Sequence, residues 1–453
     1  MEPFLFYYKK IHPMNWVYLS SLLTIALYFK FNRLWSLRNL DLVCLLLFAP
    51  GLVFYEYGRN FPESSATYTG FIWLFAVGAI FLVRLLIDSL MVRRPLLDPN
   101  MSFGGMTFLG GALLLFLMTN VANSTLEEIN PPLDVHPTGV STSGTEPPLA
   151  GIERFGPRYP LLDLLPAIPT QKFFELSSSS RRDYELARSD RKREYAAKAI
   201  VILSHLAVVT GLIFIGYRHF DNARTGMAAA VLYLLIPYTA AMTGFADHVL
   251  PAALLVWAIA SYRRPMIAGL FMGLAIGVIY YPVFLLPLWI SFYWQRGLSR
   301  FCIGVVVTVA ILAGVLVVAY YDDVDFLLAG LQQMFGLVEP EMENVEGFWA
   351  MDRIAPIWRV PVMALIIILG ASFALWPAQK NLGTLMSCTA AMMLGMQFWH
   401  AHNGGLYMAW YMPMLLLTMF RPNLEDRVAL SVLSSKRDRQ RSPGGDASAE
   451  KAA

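Results

Sequence analysis

The sequence is poor in charged residues. Only 15% of its 453 residues are Asp, Glu, Lys or Arg, whereas soluble domains carry about 25%. Hydrophobic residues make up 57%, and the mean hydropathy is +0.51. A soluble protein of this length could not bury so much apolar side chain. The composition therefore excludes an ordinary soluble protein, and it predicts an all-α, polytopic integral membrane protein whose main partner is the lipid bilayer.

Cysteine, clustered basic residues and repeats are also scarce. Cys44, Cys302 and Cys388 all fall in apolar runs, so their spacing predicts neither a disulfide framework nor a zinc site. The net charge is +3 and the basic residues are scattered over loops, which argues against a nucleic-acid partner. No internal repeat is visible, and no cleavable signal peptide is expected, because the first ten residues run directly into a full-length apolar segment.

The apolar runs predict about thirteen membrane spans, with eleven as the lower bound. They lie at 13–29, 42–57, 68–90, 102–120, 197–217, 226–244, 248–262, 266–280, 283–295, 301–320, 359–376, 382–400 and 405–420. The stretch 266–294 is too long for one upright helix, and Pro282 and Pro287 interrupt it. A tight hairpin or a broken helix is expected there.

Basic residues in the short loops predict the orientation, since cytoplasmic loops accumulate Lys and Arg. One face receives Lys30, Arg33, Arg38, Arg93, Arg94, Arg218, Arg224, Arg263, Arg264, Arg296, Arg300 and Lys380. That face is predicted to be cytoplasmic, with the N-terminus outside and the C-terminus inside a cell membrane such as the bacterial inner membrane. The basic stretch 181–198 would lie outside, within a long outer loop at 121–195. Loops of that length translocate largely regardless of charge.

Three parts follow from this scheme. Residues 1–101 hold three N-terminal spans, 102–433 form the remaining core with its outer loop, and 434–453 are a polar, disordered tail. Prolines make the first half of the outer loop irregular, while 177–197 reads as a polar helix that leads into the next span.

Ionisable residues within spans are costly and are therefore functional candidates. Arg84 and Asp88 lie four residues apart on one helical face, where each can neutralise the other. The simpler interpretation is a self-satisfied pair that orients the helix. Glu56, at the outer end of the second span, is expected to be interfacial rather than catalytic.

Two groups of acids lie on the predicted outer face. Glu127, Glu128 and Asp134 follow the fourth span, where a carboxylate could take a proton from an acceptor hydroxyl beside a lipid-linked donor. The DDxD cluster at 322–325 offers oxygen ligands for a divalent cation, which is possible but not required. Solvated loop acids are the simpler interpretation of both groups.

Histidines mark two outer turns. His400 and His402 form an HxH pattern, but no third ligand is evident, so no metal site is predicted and hydrogen bonding to a sugar or phosphate is the functional alternative. Asp247 and His248 sit in the shortest outer turn, where His248 could contact a lipid phosphate.

Five short motifs resemble a known superfamily. GFAD at 244–247 precedes a span, RRP at 263–265 leads to AGLFMGLA at 268–275, and YPVFLLP at 281–287 and YMAWYMP at 407–413 follow. Their order over roughly 200–420 is similar to that in the polyprenyl-phosphate-sugar-dependent mannosyltransferases of the GT-C superfamily.

The resemblance implies an enzyme that moves a sugar from a polyprenyl-phosphate donor to a glycan or lipid acceptor on the non-cytoplasmic face. A carboxylate in the first large outer loop acts as base in that family, and here it would be Glu127, Glu128 or Asp134, with three extra spans before the core. The candidate substrate-binding residues are Asp247, His248, Tyr281, Arg353, Arg359, His400 and His402.

Ile279 and Tyr280 replace the Lys that relatives usually carry before the YP pair. Either Arg353 and Arg359 hold the carrier phosphate instead, or the activity has changed or been lost. A transporter or flippase is the chief alternative, because broken helices also build substrate sites. A non-catalytic membrane protein is the third.

Overall fold

The chain is all-α. The computed structural model describes residues 13–61, 64–88, 90–91, 97–123, 188–295, 297–321, 324–337, 342, 345–351, 354–378 and 380–422, and no β-strand occurs among them. The α-helices are α1 (Pro13–Tyr28), α2 (Leu37–Leu46), α3 (Phe48–Asn60), α4 (Ala66–Asp88), α5 (Phe103–Asn123), α6 (Arg188–Arg218), α7 (Ala223–Leu235), α8 (Pro237–Ala241), α9 (Ala246–Ala260), α10 (Pro265–Val278), α11 (Leu286–Tyr293), α12 (Leu298–Ala319), α13 (Val324–Phe335), α14 (Arg359–Ser372), α15 (Leu382–Trp399) and α16 (Met412–Phe420).

Five described helical segments are long and apolar enough to cross a bilayer. They are Leu37–Asn60, Ala66–Asp88, Phe103–Asn123, Glu194–Arg218 and Leu298–Ala319. In α12 only 22% of the most apolar window is buried inside the protein, and side chains such as Val306 and Ile311 face outward. Valine and isoleucine are stable on such a surface when hydrocarbon covers it. The structure therefore indicates a membrane protein.

Each predicted span contains a helix, but three are interrupted. The run 42–57 contains the end of α2 and the start of α3, on either side of Leu47. The run 226–244 divides into α7 and α8 at Pro237, and Ile236 before it is extended, with ψ 129°. Proline lacks an N–H and disfavours helical backbone in the preceding residue, which explains the break. In the run 405–420, a 3₁₀ turn at Met408–Trp410 precedes α16.

The proline-rich stretch after α10 is a hairpin, one of the two predicted forms. A 3₁₀ turn at Tyr281–Leu285 follows α10, and α11 then runs back. The hydroxyl of Tyr293, at the end of α11, donates to the carbonyl oxygen of Tyr262 at 2.6 Å. Gly297 lies against Pro265, so the two legs of the hairpin begin and end at the same end of the bundle.

Helix α15 forms the centre of the bundle. Its residues Leu382 to Gln397 are all buried, and it packs against α4, α14 and α16. It begins with a capping box, in which the Asn381 side chain accepts from the Thr384 N–H and the Thr384 hydroxyl accepts from the Asn381 N–H. A helix that is buried on every side fixes the position of the residues that follow it.

One end of the bundle, which we call the basic end, carries the basic residues that were predicted to be cytoplasmic and that the structure describes. Lys30 donates to the Asn100 side chain at 2.5 Å, Arg38 to the Asp98 carbonyl at 2.6 Å and Arg224 to the Pro99 carbonyl at 3.0 Å. The short loop before α5 is thus held by basic residues from three other parts of the chain. This grouping agrees with the loop assignment that underlies the orientation.

The predicted Arg84–Asp88 pair is present and belongs to a larger network. Arg84 binds Asp88 at 2.9 Å and both carboxylate oxygens of Asp41 at 2.8 and 2.9 Å. Arg421, just after α16, donates to the second oxygen of Asp88 at 2.7 Å. Two cations and two carboxylates therefore tie α2, α4 and the end of α16 together near the basic end, which supports the structural interpretation of the pair.

We call the opposite end of the bundle the site end. Helix α15 ends there below the start of α4, and we call this recessed level the floor. The turn after α15 lies next to α4. Gly405 of that turn lies against Phe75, and Gly347 touches both Asn403 of the turn and Phe71 of α4. Helix α4 extends from Phe71 back to Ala66, which is about 8 Å at 1.5 Å per residue. Helix α4 thus extends about one and a half turns beyond the end of α15.

Candidate functional site

Tyr281 and His400 meet at the floor of the site end. Tyr281 begins the 3₁₀ turn that follows α10, and His400 is the first residue beyond α15. The Tyr281 hydroxyl lies 2.6 Å from Nδ1 of His400, and both side chains are buried. The proline- and glycine-rich ends of α10 and α15 therefore bring the Tyr281 phenol and the His400 imidazole into a direct hydrogen bond.

Asp247 and His248 lie at the start of α9 on the same floor. The Tyr238 hydroxyl lies 2.7 Å from Nδ1 of His248, and the Trp410 indole donates to the Asp247 backbone oxygen at 2.9 Å. The His248 ring stands 4.5 Å from the ring of Tyr407. The 407–413 motif thus links the GFAD turn to the end of α15.

Tyr407 and Trp410 form an aromatic wall between these two groups. Their rings stack at 4.5 Å with an interplanar angle of 28°. His400 packs edge-on against Tyr407 at 4.8 Å, and Tyr281 lies 5.5 Å from Trp410. Aromatic faces of this kind pack well against the C–H faces of a sugar ring and attract cations.

A buried cation adjoins the cluster. Arg359 begins α14, is 3% exposed, and donates from Nε to the carbonyl oxygen of Trp399, the residue before His400. His402 is also buried, and its ring lies 6.3 Å from that of His400. A buried guanidinium beside imidazoles suits an anionic group, because Arg presents several N–H donors at once.

Six of the seven predicted substrate-binding residues therefore lie at one end of the bundle: Asp247, His248, Tyr281, Arg359, His400 and His402. Their roles stay predictions. Arg353, Glu127, Glu128 and Asp134 lie outside the residues that the structure describes, as do Asp322 and Asp323.

The end of α5 and the α6 residues around Ala197 pack together beside this floor. Val121 at the end of α5 packs with Ala197 and Val201 of α6, and Ala246, directly before Asp247, packs against them. The Lys198 ammonium donates to the Ala122 carbonyl oxygen at 3.3 Å. The end of α5 and residues 197–201 of α6 thus lie next to the GFAD turn.

Sequence reasoning missed Gln397, the last fully enclosed polar residue of α15. Its Oε1 accepts from the N–H groups of Gly405 and Tyr407 at 3.1 and 3.2 Å, which shapes the turn after α15. Its buried Nε2 has no hydrogen-bond partner in the described part of the chain, and the residue lines a small opening together with Phe75 and Tyr411. A single Gln in an apolar run was the available signal.

A strap from the loop before α14 closes the side of the floor against α4. The Glu346 N–H donates to the Ala401 carbonyl oxygen at 2.9 Å, and the Asn403 amide donates to the Glu346 carboxylate at 2.6 Å. Phe348 stacks on Phe75 at 4.2 Å. The exposed Glu346 carboxylate is a further acid at the site end that the motifs did not indicate.

Among the described residues, no three His, Cys, Asp or Glu side chains are grouped so as to hold a metal ion. Asp325 of the DDxD cluster is exposed on α13. The arrangement as described offers hydroxyl, imidazole, indole and guanidinium groups around aromatic faces, which is chemistry for binding a sugar and a phosphate. No protein-family model, curated protein or solved structure matches this chain.

Proposed function

We propose that the protein is a membrane-embedded glycosyltransferase of GT-C type that takes a sugar from a polyprenyl-phosphate carrier at the non-cytoplasmic face. The observation that carries the proposal is the convergence of Tyr281, His400, His248 and Arg359 on one recessed floor. These residues come from four separate helix ends. Sites of catalysis and binding gather where several chain segments present polar groups into one concave region.

The aromatic wall supports a sugar ligand. Tyr407 and Trp410 stack on each other with little exposed surface, and the hydroxyl of Tyr281 and the imidazole of His400 lie beside them. A hexose presents hydroxyls at its rim and C–H groups on its faces, so a binding site needs both kinds of surface. Arg359 supplies a cation for the carrier phosphate, and His248 and His402 are further candidates for that contact.

The proposed reaction is a single displacement. A carboxylate of the outer segment, Glu127, Glu128 or Asp134, takes the proton of an acceptor hydroxyl, and the oxygen forms a bond to the sugar's anomeric carbon. The bond from that carbon to the phosphate oxygen breaks, and the polyprenyl phosphate leaves with the electron pair. Arg359 stabilises the charge that develops on it. The configuration at the anomeric carbon inverts.

This proposal includes the finer membrane arrangement: thirteen spans, the site end outside the cell membrane and the basic end in the cytosol. The donor is a lipid and the acceptor a glycan or lipid. The transporter alternative gains no support from the hairpin, because its bend at Tyr281 lies beside His400 at the end of α15. Transporter sites of the broken-helix type lie near the bilayer midplane.

The test is sugar transfer by the purified full-length protein in lipid nanodiscs, with polyprenyl-phosphate mannose, glucose and galactose as donors. We expect transfer from at least one donor. Tyr281→Phe should lower the rate about tenfold or more, because it removes a hydroxyl that positions His400. Removing the base among Glu127→Ala, Glu128→Ala and Asp134→Ala should cost about a hundredfold or more.

Tyr293→Phe is the matched control. It also deletes a largely buried tyrosine hydroxyl, one that donates to the Tyr262 carbonyl at the basic end. It should leave the transfer rate close to that of the wild type. Absence of transfer from every donor, in protein that remains folded, would overturn the proposal, and flux of an unmodified lipid-linked sugar across vesicles would favour the transporter.

A further inference from the structure

A second group of cations lies at the basic end, in the turns that follow α6 and α9. Arg218 ends α6 and His219 follows it, while Tyr262 and Arg263 lie in the turn before α10. The His219 and Tyr262 rings meet edge to face at 4.9 Å. The Arg263 guanidinium lies 5.7 Å from the centre of the same Tyr262 ring and donates to its hydroxyl at 3.1 Å. One tyrosine thus joins a cation from one turn to an imidazole from the other.

Neither Arg218 nor Arg263 forms an ion pair with a described carboxylate, and Asp221 in the same turn makes an interaction of its own. Both guanidinium groups are exposed at the end of the bundle. Two unneutralised cations at the ends of apolar helices form an attractive site for an anion.

His219 contributes a buried polar atom at the same place. Only 8% of the residue is exposed, and its Nε2 lies 2.7 Å from the carbonyl oxygen of Ala260, which makes Nε2 the donor. Its Nδ1 has no hydrogen-bond partner in the described structure. Burial lowers the pKa of His219, and Arg263 and Arg218 lower it further. The imidazole is therefore held neutral, with Nδ1 as an acceptor.

An exposed aromatic surface leads from these cations towards the middle of the bundle. Phe214, one turn before Arg218, is 39% exposed and stacks on Trp257 at 5.8 Å. Trp257 in turn lies 6.3 Å from Phe271. Aromatic rings at the end of a membrane helix mark the interface between headgroups and hydrocarbon. The cations thus stand at headgroup level above a surface suited to acyl chains.

We propose that this place binds an anionic phospholipid, with the phosphate between the exposed guanidinium groups of Arg218 and Arg263 and an acyl chain along Phe214 and Trp257. Basic pockets between membrane helices are known to recognise anionic headgroups in this way. The inference is independent of the proposed sugar transfer, since it uses other residues at the other end of the molecule.

The experiment is a lipid titration of the full-length protein in detergent, followed by native mass spectrometry. Phosphatidylglycerol should bind more tightly than phosphatidylcholine to the wild type. The double variant Arg218→Gln/Arg263→Gln should weaken phosphatidylglycerol binding about 25-fold, at about fivefold for each arginine. Arg33→Gln/Arg300→Gln is the matched control, because it removes the same charge from two exposed arginines elsewhere in the predicted cytoplasmic loops, and it should bind like the wild type.

Three results would overturn the proposal. The control could lose as much affinity as the double variant, which would show a diffuse charge effect rather than a site. Phosphatidylcholine could bind as well as phosphatidylglycerol. Inorganic phosphate could displace the lipid at equal concentration, which would assign the site to free phosphate. All four arginine side chains are exposed, so both variants should keep the wild-type thermal stability, and that measurement confirms that each is folded.

Discussion

At the scale of single residues, the fold depends on a small number of buried charges. Asp88 is fully buried and accepts from both Arg84 and Arg421, while Asp41 holds the other side of Arg84. Each charge is neutralised by a partner on another helix, which makes the set tolerable within an apolar bundle. Removing one member leaves a neighbour buried without its counter-ion, and such a change costs far more than the net value of the pair.

We therefore expect Asp88→Asn to destabilise the protein by about 3–5 kcal/mol. The amide keeps the shape of the carboxylate but cannot neutralise Arg84 and Arg421. The measurement is the apparent melting temperature of the purified protein in a fixed detergent. Asp98→Asn is the control, because that carboxylate lies 3.6 Å from Arg224 and its side chain is 60% exposed. An exposed pair contributes about 0–1 kcal/mol, so equal losses in the two variants would contradict the prediction.

At the scale of helices, close packing depends on glycine. Gly269 and Gly273 of α10 lie directly against the backbone of α12, where an added Cβ would come within 2.2 Å of the Phe301 oxygen and 2.8 Å of the Val305 oxygen. Gly304 on α12 approaches α10 in the same way. The small residues at 269 and 273 could have joined helices within one chain or between two, and here they join helices within one chain.

Gly269→Ala should therefore destabilise the protein by about 1–3 kcal/mol at the contact between α10 and α12, since the backbone of α12 must move to admit a methyl group. The matched variant is Gly314→Ala on α12, where an added Cβ has no neighbour within 4 Å. Alanine favours helix over glycine by about 1 kcal/mol, so Gly314→Ala should be neutral or slightly stabilising. Limited proteolysis and apparent melting temperature compare the two, and a Gly269→Ala protein as stable as Gly314→Ala would refute the packing argument.

The helices themselves were largely predictable from sequence, because each apolar run is also a helix. What failed was the continuity of three runs, 42–57, 226–244 and 405–420. Pro237 divides one of them, although the apolar residues on both sides suggested a single span. The turn at Tyr281 was predicted, since two prolines lie close together in 281–287. The prolines at 237 and in 281–287 thus mark helix ends that hydropathy did not, whereas Pro251 lies inside α9 without ending it.

At the scale of the whole molecule, the site could be predicted only in part. The motifs indicated Asp247, His248 and Tyr281, and the structure places them near His400. Gln397 was not predicted, because its hydrogen bonds to the following turn depend on how the helices pack, and no local sequence pattern encodes that packing. The proposed base stays a prediction, because Glu127, Glu128 and Asp134 lie outside the described residues.

Orientation is the property of the whole molecule on which the sugar-transfer proposal depends. In a variant with Cys44, Cys302 and Cys388 replaced by Ser, Ser65→Cys marks the site end before α4, and Asn32→Cys marks the basic end after α1. A membrane-impermeant maleimide should label Ser65→Cys on intact cells. It should label Asn32→Cys only after permeabilisation, because basic loops stay in the cytosol. The reverse pattern would remove the site from any extracytoplasmic donor.

The depth of the floor below the start of α4 restricts the shape of whatever reaches it. The Glu346 strap packs on α4 and holds the turn after α15, and Tyr281 and His400 are only 4% and 2% exposed. A broad, rigid acceptor could not contact side chains that are so enclosed. Only a slender end, such as the terminal residue of a chain or a single headgroup on a flexible tail, could descend far enough to meet the floor.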